Sequence, residues 1–181
     1  MEELYEKTIS SNTIYEGRII KVVNDTVELQ NGKEAKREVV FAPGGCCILA
    51  IDAEENVFLV EQFRYPYKRV LLELPAGKLE PNEEKLTCAM RELKEETGFE
   101  AESLTEFATV YPTPGFCKEN IYIYLAQNLK SGKCHLDEDE FLNMIKVPFS
   151  QALQMVLDGR ILDSKTSIAI LKYAVLKKRN S

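Results

Sequence analysis

Three carboxylates, Glu92, Glu95 and Glu96, stand in the run Arg91-Glu92-Leu93-Lys94-Glu95-Glu96. On a helix turning about 100° per residue, Glu96 lies about 40° to one side of Glu92 and Glu95 about 60° to the other. All three share one side of two successive turns. Like charges at that spacing cost about 0.2–0.5 kcal/mol per pair, so the cluster opposes its own helix unless cations settle on it. Arg91, four residues before Glu95, is placed to steady it through an i,i+4 pair. Oxygen-only donors suit Mg²⁺ or Mn²⁺, whose remaining positions are filled by water and phosphate oxygens. A solvated acidic face is the competing reading. The apolar stretch Leu72-Glu73-Leu74-Pro75-Ala76-Gly77, which runs straight into the helix, favours a cleft instead.

The helix that must carry these acids is predicted to start in Pro81-Asn82-Glu83-Glu84, since proline tolerates the first turn and acidic groups suit the positive end of the dipole. Gly98 fits the left-handed position just past its end. Leu86, Ala89, Met90 and Leu93 fall on one side and are the expected core face.

Gly77, five residues, Glu83, seven residues, then Arg91-Glu92-Leu93-x-Glu95-Glu96-x-Gly98-Phe99 resembles the full Nudix box. Every fixed position is filled, and Phe99 is a mild departure where an aliphatic residue is more usual. The resemblance implies hydrolysis of a nucleoside diphosphate linked to another group, by water and with Mg²⁺ as cofactor (Mn²⁺ able to substitute). It implies Glu92 and Glu96 as principal metal ligands, Glu95 as a further ligand, and the Ala76 carbonyl completing the set. Glu83 and Arg91 then serve as catalytic positioning residues, although Glu83 also reads simply as a helix N-terminal charge.

Glu61-Gln62-Phe63-Arg64 with Glu73-Leu74-Pro75-Ala76-Gly77, Pro114-Gly115 beyond the box, and the tail Gly159 to Thr166 are similar to the ADP-ribose pyrophosphatase branch of that family. That likeness spans roughly residues 40–180. It implies ADP-ribose as substrate, AMP and ribose 5-phosphate as products, and Arg64, Glu61, Glu73, Pro114 and Gly115 on the substrate-binding side. Arg64 is the candidate for a phosphate or ribose contact, because a fixed cation beside pyrophosphate lessens its repulsion with an acidic helix. A salt bridge to Glu61 or Glu73 is its competing role. The branch takes its general base from an acidic loop before a late strand, which implies Glu140, with Glu138 second. Adenine stacks on an aromatic ring; the chain has no tryptophan, and Tyr5, Tyr15, Phe63 and Tyr65 remain open.

With 181 residues and 45% apolar content, the chain can bury one sizeable core. The expected architecture is a Nudix-type α/β/α sandwich around a mixed sheet (residues 43–181), preceded by an antiparallel β unit (residues 1–42). In the first forty residues alternating strands run from Thr13 to Val23 and Asp25 to Leu29, and Asn31-Gly32 signals a hairpin returning over Lys36–Phe41. Such a unit cannot bury much alone, and the resemblance implies that it builds a homodimer and part of the substrate site. Further strands are expected over 46–52, 56–64, 70–74, 106–111, 120–126 and 141–147, with helices over 148–157 and 164–178.

A net charge of −6 argues against a phosphate-backbone surface, hence against nucleic acid as partner. Five cysteines in odd number without CxxC spacing suggest reduced thiols and a cytoplasmic location. No secretory signal and no membrane span are visible, and His135, the single histidine, makes a histidine base improbable. Other nucleoside diphosphate sugars and dinucleoside polyphosphates are alternative substrates, though Pro114 disfavours the latter. A non-catalytic ADP-ribose sensor is the alternative from another class; its eroded box and DNA-binding appendage are both missing here.

Overall fold

The computed structural model describes residues 4–132 and 141–180. These form two compact units.

Residues 1–44 with 111–120 make the first unit. Strands β1 (Lys7–Glu16), β2 (Lys21–Glu28) and β3 (Glu34–Phe41) form an antiparallel meander. The alternation expected to run unbroken from Thr13 to Val23 is interrupted at Gly17, whose N–H donates to the Ile20 carbonyl at 2.9 Å. The second turn falls where Asn31-Gly32 predicts it, with Gly32 at φ +74° and its N–H on the Leu29 carbonyl. Val23 and Val27 of β2 are buried, whereas all ten residues of β1 are exposed along the sheet edge.

Residues 45–110 and 121–181 make the second unit. Its strands are β4 (Gly45–Ala50), β5 (Asn56–Arg64), β6 (Arg69–Glu73) and β7 (Ala76–Lys78), then helix α1 (Lys85–Thr97) and strand β8 (Phe99–Val110). The short β9 (Cys117–Lys118) returns to the first unit and pairs in parallel with β3. There follow β10 (Ile121–Ser131), β11 (Leu142–Pro148), α2 (Phe149–Leu157) and α3 (Ser164–Asn180). One mixed sheet has the order β7-β4-β10-β8, with β4 and β10 parallel, and a second has the order β11-β5-β6.

Strand β4 is buried on both faces, which explains its unbroken apolar run. Cys47, Leu49 and Ile51 join a core with Phe149, Ala152 and Met155 of α2 and Ala169 and Ile170 of α3. Cys46, Ile48 and Ala50 join the opposite core with Cys88, Ala89 and Leu93 of α1. Each fully buried aliphatic side chain contributes about 1.5–3 kcal/mol. The layers are therefore helix, mixed sheet, helices, as the element order implies.

Strand β8 begins at Phe99 rather than 106, since its antiparallel ladder with β10 runs from Val110 back to Phe99. Among the described residues no helix is long and apolar enough to cross a membrane.

Candidate active site

Helix α1 begins four residues later than its sequence signals suggest. Pro81 to Glu84 form a turn in which Asn82 takes φ +65° and the Glu83 N–H reaches the Glu80 carbonyl at 3.1 Å. Glu84 occupies the N-cap position. At the other end Gly98, at φ +72°, closes the helix with its N–H on the Lys94 carbonyl at 2.8 Å, as expected.

The buried side of α1 is only in part the one its apolar residues predict. Ala89 and Leu93 are buried, but Leu86 is 44% and Met90 50% exposed. The helix is rolled so that Cys88, Glu92 and Glu96 turn inward, leaving Glu92 only 6% and Glu96 1% exposed. A helix that buries two carboxylates in preference to a leucine and a methionine must compensate them, because charges without partners are expensive to desolvate.

Arg91 is the main compensation. Its Nε donates to Glu83 Oε1 at 2.9 Å and one Nη to Glu83 Oε2 at 3.0 Å, a bidentate fork. The other Nη donates to Glu92 Oε1 at 2.7 Å and to Glu95 Oε2 at 2.9 Å, the latter being the expected i,i+4 pair. The Lys78 carbonyl accepts a further bond at 3.1 Å. The Glu83 carboxyl is lowered from 4.5 to about 2, first by the Arg91 hydrogen bonds against an opposing effect of burial, with help from the Glu80 N–H. Glu96 is held separately: its Oε2 accepts the Ala76 backbone N–H at 2.9 Å.

Gly77 provides the floor. A Cβ on Gly77 would stand 1.9 Å from Glu92 Oε1 and 2.0 Å from its carboxyl carbon, so any side chain would occupy the place of that carboxylate. Gly45 is similarly confined, since a Cβ there would stand 2.4 Å from the Gly77 carbonyl oxygen. The structure thus gathers Ala76, Gly77, Glu83, Arg91, Glu92, Glu95 and Glu96 into one connected group.

A second buried network lies on the segment leading into it. Arg64 grips Glu73 with Nε and one Nη, both at 2.6 Å, so its predicted competing role as a salt bridge is realised. Glu73 is 2% exposed, and Lys165 also donates to its Oε2 while reaching Asp163 at 2.9 Å. Burial pushes the Glu73 carboxyl up, but Arg64 and Lys165 outweigh it and keep it below its usual range. Thr166, fully buried, completes the network: its hydroxyl donates to Asp163 Oδ2 at 2.6 Å and accepts the Leu74 N–H at 2.8 Å.

Other predicted residues stand apart from these groups. Glu61 lies on β5, with Asn143 Nδ2 at 3.5 Å. Pro114 and Gly115 belong to the first unit, in the Thr113–Phe116 turn. Glu138, Glu140, Cys134 and His135 lie outside the described residues. Sequence reasoning assigned no role to Asp163, Lys165 and Thr166. The available signal was an Asp three residues before a Thr at a helix start, which marks a cap but not its distant partner.

Among the described residues no three acidic, cysteine or histidine side chains already converge as a metal cage. Glu92 and Glu95 lean on Arg91 instead. The donor chemistry nonetheless fits a hard divalent cation: carboxylate oxygens only, on one helix side, above a glycine floor that keeps other atoms away.

A family model described as the NUDIX domain matches residues 41–166, and one described as the nucleoside diphosphate sugar hydrolase N-terminal domain matches residues 6–40. The chain is 43% identical over 180 residues to the ADP-ribose pyrophosphatase of Bacillus subtilis (strain 168), covering 98% of this chain and 97% of that one. It is 44% identical over 167 residues to the methanol dehydrogenase activator of Bacillus methanolicus, covering 91% and 90%. A crystal structure of an ADP compounds hydrolase superimposes with a TM-score of 0.86 over 100% of this chain and 99% of the other at 21% identity, a likeness of fold. The intact box, the buried acidic helix that it encodes and a family match over most of the chain together make this protein a Nudix hydrolase.

Proposed function

We propose that the protein hydrolyses the pyrophosphate bond of ADP-ribose to AMP and ribose 5-phosphate, with Mg²⁺ as cofactor. The observation that carries the reading is the inward roll of α1, which buries Glu92 and Glu96 and exposes Leu86 and Met90. Stability alone favours the opposite roll. The substrate assignment is supported by the name of the Bacillus subtilis relative, matched along nearly the whole chain.

Glu92, Glu95, Glu96 and the Ala76 carbonyl would hold the cation. When bound, it neutralises charge on the diphosphate and makes a coordinated water more acidic. Arg91 keeps Glu83, Glu92 and Glu95 in register through its hydrogen bonds to all three. Arg64, oriented by Glu73, turns its remaining guanidinium edge to a phosphate or ribose oxygen. Glu140, with Glu138 second, accepts the proton of the attacking water on a carboxylate oxygen. Glu61, Pro114 and Gly115 complete the substrate side.

The working form is a homodimer in a reducing, cytoplasmic setting. In support, β1 presents an open edge with Ile9, Ile14 and Tyr15 exposed, and the cysteines at 46, 47, 88 and 117 are thiols. Sedimentation that returned only monomer would remove the dimer.

A panel of ADP-ribose, GDP-sugars, other nucleotide sugars and dinucleoside polyphosphates, run with Mg²⁺ in ¹⁸O-water, tests the function. ADP-ribose should give the highest kcat/KM, with label in one phosphomonoester product. A preference of tenfold or more for another member reassigns the substrate, and no turnover of any member ends the enzymatic reading.

A further inference from the structure

We infer that the start of α3, through Asp163, Lys165 and Thr166, is a positioning device for the active-site segment Leu74–Gly77. The inference rests on the metal-site reading above and deepens it.

Strand β6 ends at Glu73 and β7 begins at Ala76, so Leu74 and Pro75 fall between two ladders. Pro75 has no N–H to donate. The Leu74 N–H is held instead by the Thr166 hydroxyl, 92 residues away in sequence, at 2.8 Å. The Pro75 carbonyl accepts the Ile48 N–H at 2.9 Å, and the Ala76 N–H goes to Glu96 Oε2 at 2.9 Å. Three consecutive residues are thus pinned from three different elements. The next residue is Gly77, on whose bare backbone the Glu92 carboxylate rests. Releasing Leu74 loosens one end of a segment whose other end carries both the Ala76 carbonyl and that floor.

Helix stability does not explain these residues. As a cap, Asp163 needs only the Thr166 N–H, which its Oδ2 accepts at 2.9 Å. The Thr166 hydroxyl is engaged in addition, fixed by Asp163 at 2.6 Å so that its lone pair faces Leu74. Lys165 is a cation in the first turn of a helix, where the dipole disfavours it. Its place is accounted for by Glu73, whose Oε2 it shares with Arg64. Thr166 therefore acts through the backbone on the metal side, and Lys165 acts through Glu73 on the Arg64 side.

The two branches predict different kinetics. Thr166→Val keeps the shape and removes the hydroxyl. In the full chain it should weaken Mn²⁺ binding, followed by electron paramagnetic resonance without substrate, by about fivefold or more. The Mg²⁺ concentration for half-maximal activity should rise equally, while KM for ADP-ribose at saturating Mg²⁺ stays within about twofold. Amide exchange at Leu74 and Ala76 should accelerate by about tenfold or more in the metal-free protein. Thr166→Ser should restore all three. Lys165→Met should instead raise KM by about tenfold with Mn²⁺ binding intact.

A Thr166→Val protein with wild-type Mn²⁺ affinity and wild-type Ala76 protection overturns the inference, whatever its Tm. If that variant fails to fold, Asp163→Asn, which keeps the cap through its amide oxygen, should show the same pattern more weakly; an unchanged metal affinity there overturns it too. Should the wild type bind no Mn²⁺, the functional reading fails by itself, and the exchange rates at Leu74 and Ala76 alone decide the positioning role.

Discussion

Replacing Gly77 by alanine adds one carbon at the point where the site has no room. That carbon would lie 1.9 Å from Glu92 Oε1, 2.0 Å from its carboxyl carbon and 2.2 Å from Oε2, whereas ordinary contact starts at 3.4 Å. The carboxylate must therefore retreat by about 1.5 Å (3.4 less 1.9). The backbone imposes no further strain, since Gly77 is not among the glycines at positive φ. The Glu92 side chain can take up the displacement by leaving its rotamer, at about 0.5–1.5 kcal/mol, so Tm should fall by only a few degrees. Catalysis is far less tolerant, because a misplacement of about 1 Å at a reacting centre can cost about 10²-fold. Gly77→Ala should thus lower kcat/KM for ADP-ribose by about 100-fold or more at saturating Mg²⁺, with the circular dichroism spectrum unchanged. Glu92→Asp withdraws the carboxylate by one methylene and opens that space, so Gly77→Ala should cost much less in the Glu92→Asp background; neighbouring residues that share a clash are not additive. A Gly77→Ala enzyme within threefold of wild type, or strict additivity in the double variant, would refute the account of Glu92.

Glu96→Gln keeps an oxygen for the Ala76 N–H, so the fold should persist while Mn²⁺ affinity by calorimetry and kcat both fall by orders of magnitude; near-normal values would reject its part as a ligand. Arg91→Met removes the group that holds the Glu83 carboxyl near 2. A lowered carboxyl contributes stability above its unfolded value of about 4.5 and loses it as pH falls through about 2, so the Tm gap between wild type and variant should be wide at pH 7, narrow below about pH 4.5 and close near pH 2. A gap that does not change with pH would assign Arg91 a packing role. Glu140→Gln should reduce kcat more than it changes KM, and an unchanged rate moves the base to Glu138 or Glu95.

The elements whose signals are local were legible from the sequence. Strand β5 spans Asn56–Arg64 as expected from an apolar run that alternates from Val60 onward, α2 starts at Phe149 directly after Pro148, and Gly98 and Gly32 adopt the positive φ that their turns require. What escaped is what depends on distant partners. The single Gly17 turn is concealed because strand-like alternation continues across it. The early start of β8 at Phe99 follows from pairing with β10, which no local pattern encodes. The Leu74–Thr166 bond joins residues 92 apart. Most instructive is α1, where apolar periodicity selects Leu86 and Met90 for the core and the molecule leaves both outside. The motif identified the carboxylates correctly as a group, but nothing in the spacing told which of them would be buried.

That failure has a physical meaning. Around α1, one guanidinium, that of Arg91, bonds Glu83, Glu92 and Glu95 together, while Glu96 accepts the Ala76 N–H. Backbone N–H groups from Glu80 and Ala76 stabilise one oxygen each of Glu83 and Glu96. Rolling the helix to bury Leu86 and Met90 would gain apolar burial and return two carboxylates to water, so on stability alone the observed roll is the poorer choice. Arg91 limits the penalty by shared hydrogen bonds, and it does so unevenly: Glu83 takes the bidentate fork, while Glu92 and Glu95 each receive one bond from the same nitrogen. Glu92 and Glu95 thus share one Arg91 nitrogen, while the bidentate fork to Glu83 keeps the guanidinium in place. On the proposed reading, that shared hold keeps the Glu92 and Glu95 carboxylates on one helix side, where their oxygens would receive a hard cation.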